Sequence, residues 1–298
     1  MWAGPMRMRL RLGFALALLA GPVGAEPAGC DALLAAVERA VGLTLSAPPA
    51  AMADGWCVLD GARSPGDGDL RVSVERLRLR GEADGGALRA LEVDGEGVRV
   101  APALSNRHMA GWLRDLMRLQ SASLHLALRR DEAGDRLLLE GGRLGLSGGG
   151  ELVLSAEVAG ANLSAASLLA GRVTVLHLEW KNDGHTLRPV LEALGAALEP
   201  GASGTKAVLA ARAALTGVIE AMPGDSLPED AGKALQAFVA ALPQGRGRLV
   251  LDFVSEDGIG AAQVGLLALA EQPTAPKALA RLFAGSGIGA SWTAGMAP

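Results

Sequence analysis

Between Asp69 and Trp180 the apolar residues fall on every second position, the repeat of a strand with one face buried and the other wet. Val72 and Val74, Leu77 and Leu79, Val98 and Val100, Leu124, Leu126 and Leu128, Leu144 and Leu146, Leu152 and Leu154, and Val173 and Val175 alternate with polar or small residues. Turn-forming clusters separate the runs: Asp84-Gly85-Gly86, Asp94-Gly95, Glu132-Ala133-Gly134-Asp135, Gly141-Gly142 and Gly148-Gly149-Gly150. The change of parity between Val74 and Leu77 predicts a bulge that curls the sheet. Such a pattern constrains the chain to a meander of antiparallel hairpins.

Other segments repeat at helical spacing. Leu33, Leu34, Val37 and Val41 predict a first helix from Asp31, and Met109, Trp112, Leu113, Leu116 and Met117 predict one inserted among the strands from Asn106 to Leu119. Past Asp183-Gly184 the period becomes that of three amphipathic helices, marked by Leu187 to Leu198, Val208 to Met222 and Leu235 to Leu242. The third is expected to open on Ser226 and Glu229 in capping-box spacing around Pro228. A last hairpin is expected from Leu249, Leu251 and Phe253 through Glu256-Asp257-Gly258 into Val264 and Leu266, followed by a helix from Thr274 to Ala284. The expected fold class is α+β: a curved antiparallel sheet packed with amphipathic helices, with a helical segment after the main sheet. The organisation reads as a leader at 1–25, a helix and first strand at 26–62, a strand-rich region at 63–181, helices at 182–246 and a C-terminal hairpin and helix at 247–298, with 26–298 as one domain.

Arg7, Arg9 and Arg11 precede a short apolar run from Leu12 to Ala20, and Val23-Gly24-Ala25 follows Pro22 with small residues at peptidase-type positions. This is the pattern of a cleavable export signal, and its apolar run is too short to span a bilayer. Export implies an oxidising compartment, the periplasm, where Cys30 and Cys57 are expected to pair and pin the first helix to the first strand. Closing that loop is worth roughly 3 kcal/mol in the chain-entropy account.

Composition narrows the partners. The formal charge is −4, with no Tyr and only four Phe, so the surface lacks both the basic field and the stacking rings of a nucleic-acid binder. Gly145-Leu146-Ser147-Gly148-Gly149 fits the G-x-S-x-G pattern, yet a strand rather than a helix is expected after it, so Ser147 reads as a hairpin residue and hydrolysis as the least favoured activity. His108, His125, His177 and His185 lack metal-ligand spacing, and Asp67 and Asp69 lack the rest of a calcium loop. No metal, cofactor or catalytic residue is expected. Asn162-Leu163-Ser164 has the form of a glycosylation sequon but is discounted for a bacterial-type leader.

Two constellations remain. Leu124, Leu126, Leu128, Leu152 and Leu154 would line an apolar groove if the sheet is not filled from above, and Arg71, Arg76, Arg78 and Arg80 would form a strip on the opposite face for an anionic partner. The leader, the Leu-x-Leu strands and the run from Gly150 to Gly160, Gly-Glu-Leu-Val-Leu-Ser-Ala-Glu-Val-Ala-Gly, resemble the strand-rich parts of AsmA-like envelope proteins and of periplasmic families of alphaproteobacteria. That resemblance covers Leu70 to Trp180 and implies envelope maintenance or lipid handling without catalysis; it carries no functional residue across. The expected partner is a lipid or an envelope protein, with contact at a membrane surface left open. The alternative is a structural or assembly factor of the envelope with a filled core.

Overall fold

The computed structural model describes residues 29–41, 44–46, 51–64, 70–84, 87–102, 121–147, 149–184, 187–268 and 276–295. Among them, ten strands form one antiparallel sheet whose spatial order is the chain order. The strands are β1 (Ala51–Ala53), β2 (Trp56–Arg63), β3 (Leu70–Asp84), β4 (Ala87–Pro102), β5 (Ala122–Asp131), β6 (Arg136–Leu146), β7 (Glu151–Ala159), β8 (Arg172–Asn182), β9 (Gly247–Gly260) and β10 (Ser286–Ala294). The helices are α1 (Cys30–Val41), α2 (Ala165–Ala170), α3 (Leu187–Leu198), α4 (Gly204–Ala221), α5 (Glu229–Ala241), α6 (Ala261–Ala268) and α7 (Pro276–Leu282). The architecture is α+β, as the pattern predicts. The expected leader, the helix from Asn106 to Leu119, His108, His185, Asp67 and Asp69 lie outside the described residues.

The predicted parity change is present and spans three strands. Burial passes from Val74 to Leu77 in β3, from Ala62 to Leu59 in β2 and from Val98 to Gly95 in β4, with Gly61 and Gly97 at φ of 67° and 61°. A backbone in that region is open to glycine at no steric cost, which explains two glycines at one level of the sheet. The β4–β5 register also shifts between Gly95 and Val98.

Three expectations about turns are corrected. Asp94-Gly95 and Gly141-Gly142 lie inside β4 and β6 rather than between strands. Glycine serves there as a residue without a side chain: a Cβ on Gly142 would stand 3.0 Å from the Leu154 carbonyl oxygen and 3.3 Å from its Cβ. Glu256-Asp257-Gly258 is likewise no hairpin turn, because Ser255 to Gly258 bulge out of β9 where the β8 register jumps between Val173 and Val175. The segment expected to return as a strand at Val264 is helical α6, and the strand that pairs back on β9 is β10.

Helix ends show a fourth difference. Ser226 does not cap α5: its hydroxyl donates to the Phe283 carbonyl at 2.9 Å and its own carbonyl accepts from Ile288 N–H at 2.8 Å, so it ties the start of α5 to β10. The short α2 begins on Ser164, whose Oγ accepts from Ser167 N–H, and Asn162 Oδ1 accepts from Ser164 N–H. The sequon residues are therefore a local cap and turn.

Two buried clusters occupy opposite regions of the sheet. Cys30, Leu33 and Ala36 of α1 pack with Cys57, Leu59, Leu77, Leu79 and Leu91, joined by Leu137 and Leu163. Leu187, Leu191, Val208, Ala211, Val239 and Leu242 form the second among α3, α4 and α5, with Trp180 and Phe238 against it. The Cys30–Cys57 disulfide, with Cα atoms 5.3 Å apart, pins α1 to β2 as predicted.

Candidate functional site

Cross-strand register sets the candidate groove residues side by side. One row runs Val93, Leu126, Gly142, Leu154, Leu178, Leu251 and Ala290 across β4 to β10. A second runs Gly95, Leu124, Leu144, Leu152, Trp180, Leu249 and Trp292, and a third runs Leu91, Leu128, Leu139, Ala156, Leu176, Phe253 and Ile288. Every member is apolar or glycine. All five sequence candidates, Leu124, Leu126, Leu128, Leu152 and Leu154, are therefore on one face, and each is half-buried.

Cover is uneven along this face. α1 packs on β3 and β4, and α5 packs on β10, where Phe238 meets the Trp292 ring edge-on at a centroid distance of 5.1 Å. Among the described residues no helix packs to a similar extent on β5, β6 or β7. Three strand spacings separate β5 from β8, roughly 14 Å of apolar floor. At the α1 end a cleft of about 440 Å³ is lined by Leu33, Leu91 and Leu128 together with the charged Arg80, Glu92, Arg129 and Glu140. A volume of that size lies within the range of small-ligand sites.

The other face is a charge ladder. Asp94 accepts from Arg78 at 2.5 Å and pairs with His125 Nδ1 at 2.7 Å; Arg80 bonds Glu92; Arg76 approaches Asp60 at 3.7 Å. Burial pushes the Asp94 carboxyl up, but hydrogen bonds from His125 and Arg78 outweigh it and hold the group below the ordinary carboxylate range. Further along, Arg248 bonds Glu179 at 2.5 Å, Lys181 approaches both Glu179 and Glu151, and Arg136 bridges Asp131 and Glu157. The Arg248 hydrogen bond lowers the Glu179 pKa, and the Arg136 hydrogen bond lowers that of Asp131.

Of the four arginines expected to form a strip, Arg76, Arg78 and Arg80 are thus on one face with carboxylates from neighbouring strands beside them. Arg78 and Arg80 also stack over Trp56, 4.9 and 4.6 Å from the ring centroid. Arg71 is exposed on β3 opposite Ala101. Charges compensated in this way attract a distant anion less than a bare basic strip would.

Ser147 lies in the β6–β7 turn, where its Oγ accepts from Ser121 N–H at 3.0 Å and fixes the entry to β5. A second serine constellation escaped the sequence pattern because its members are far apart in the chain. Ser155, His177 and Asp252 are register partners on three adjacent strands, with His177 Nδ1 2.6 Å from Asp252. No hydrogen bond joins Ser155 to His177. Among the described residues no three His, Cys, Asp or Glu side chains converge as metal ligands, and no helix is long and apolar enough to cross a membrane. No protein-family model matches this chain, and a comparison with curated proteins finds no match.

Proposed function

We propose that the protein is an exported, non-catalytic component of the bacterial envelope that holds a lipid acyl chain against the central strands of its sheet. The observation that carries this reading is the set of three apolar rows across β5 to β7, half-buried and, among the described residues, without a comparable helix packed on them. An acyl chain laid on such a floor gains about 0.8 kcal/mol per buried CH₂, less the cost of ordering it. With no charged side chain in those rows, recognition is of the chain, and the headgroup stays in water at the rim. The leader-like residues 1–25 and the disulfide favour the periplasm, and the resemblance to AsmA-like proteins favours lipid handling.

Native mass spectrometry of protein purified from its own envelope tests both parts. The expected spectrum is a chain starting at Glu26 with lipid adducts that delipidation removes. A chain retaining residues 1–25 overturns export by cleavage, and a chain that carries no lipid and accepts none from vesicles overturns acyl binding. The second outcome favours a structural factor whose α1 and α3–α5 clusters are its whole core.

A further inference from the structure

We propose that β10 pairs with β10 of a second copy of this chain, joining two sheets edge to edge. This rests on the edge that β10 leaves unpaired among the described residues and not on the lipid reading. In an antiparallel ladder, alternate residues turn both backbone polar groups to the same neighbour. Gly295 N–H reaches Arg246 on the β9 side at 2.7 Å, while Ile288 N–H turns the other way to the Ser226 carbonyl at 2.8 Å. Ala290, Trp292 and Ala294 therefore direct their N–H and C=O groups away from β9, and among the described residues no group receives them.

Soluble proteins guard such an edge with charge, proline or brevity. The opposite edge, β1, is three residues long and guarded by brevity. β10 has nine residues, Ser-Gly-Ile-Gly-Ala-Ser-Trp-Thr-Ala, with neither charge nor proline. Its residues on the charged face are Gly287, Gly289, Ser291 and Thr293, small enough to let another backbone approach.

The same absence of charge selects the occupant. Two identical strands related by a two-fold axis place each residue of β10 against a residue of the same strand, so a net charge on the strand would oppose itself, and this one carries none. The register that uses every outward group puts Trp292 on the axis and Ala290 opposite the second copy's Ala294. Ser291 then faces the second copy's Thr293 as a non-hydrogen-bonded pair, with Cα atoms about 4.5 Å apart, inside the range a disulfide spans.

The test is light scattering of the full chain after size exclusion, on the wild type and Ala290→Pro. Proline at 290 removes an N–H that points away from β9, so the β9–β10 ladder is kept. The expected result is a wild type of twice the chain mass and a monomeric variant with an unchanged circular dichroism spectrum. Both native cysteines are already paired, so Ser291→Cys with Thr293→Cys adds the only free thiols and is expected to give a covalent dimer on oxidation. A monomeric wild type at micromolar concentration overturns the proposal, as does a dimer that Ala290→Pro leaves intact. Should the proline variant unfold, the cysteine pair decides alone: no crosslinked dimer overturns it.

Discussion

Leu126 of β5 and Leu154 of β7 stand on either side of Gly142 in one row of the sheet, and the missing side chain between them brings the Leu154 backbone to 3.0 Å of where a Cβ would be. Glycine at this point keeps the two leucines on a common floor. These three residues belong to the stretch of β5 to β7 that neither α1 nor α5 covers.

Leu126→Trp separates a floor from a filled core. A filled core would lose roughly 1 to 3 kcal/mol to overpacking. The expected outcome is a thermal midpoint close to wild type with weaker uptake of a fluorescent fatty acid. Unfolding, in a protein whose wild type takes up no fatty acid, removes the acyl-binding proposal.

At Gly195 the backbone of α4 lies directly against α3. A Cβ there would stand 1.7 Å from the Ala207 carbonyl oxygen, a backbone atom that cannot swing aside. Gly195→Ala is expected to destabilise the helical cluster by about 3 kcal/mol or more, at the upper end of overpacking costs. Urea unfolding followed by Trp180 fluorescence reads this, since Trp180 lies against that cluster; an unchanged midpoint contradicts the close approach.

Cys30→Ser with Cys57→Ser removes the link between α1 and β2. The expected loss is roughly 3 kcal/mol, with a matching loss when the wild type is unfolded under reductant. Hydrogen exchange should show α1 opening first, because beyond the disulfide it is held by one face of Leu33, Ala36 and their neighbours. Equal protection of α1 with and without reductant would place its anchor elsewhere.

Acid should unlock the charged face. Asp94, Asp131 and Glu179 titrate below the usual carboxylate range in the fold, so it favours their ionised forms. Their contribution is whole above the unfolded values, about 3.9 for Asp and 4.3 for Glu, and is lost as pH falls through the lower folded values. The thermal midpoint is expected to be level between about pH 7 and 5 and to drop below about pH 4. Asp94→Asn should reduce the size of that drop and cost about 1 kcal/mol at neutral pH, the upper range for a half-exposed pair. A midpoint unchanged by acid would show that these pairs add nothing.

The strands β5 to β8, the helices α1 and α3 to α5 and the Cys30–Cys57 link were legible in the chain because each depends on local spacing: two for the leucines of β5 and β7, near four for α3 to α5, and two cysteines with no other partner. The bulge at Val74 to Leu77 was legible for the same reason. Three things were decided only by tertiary contacts. Gly95 and Gly142 look like turn formers, and only the neighbouring Val98 and Leu154 reveal that they fill strand positions where a Cβ would be crowded. β10 carries too few apolar residues to announce a strand, and it forms because β9 offers a ladder and Ser226 anchors its start. The apolar rows, like the grouping of Ser155, His177 and Asp252, come from register between segments far apart in the chain, His177 and Asp252 being 75 residues apart, which no local period encodes. Sequence determined which face of each strand is apolar, whereas strand order and helix placement determined that the middle of that face lies between two covered ends.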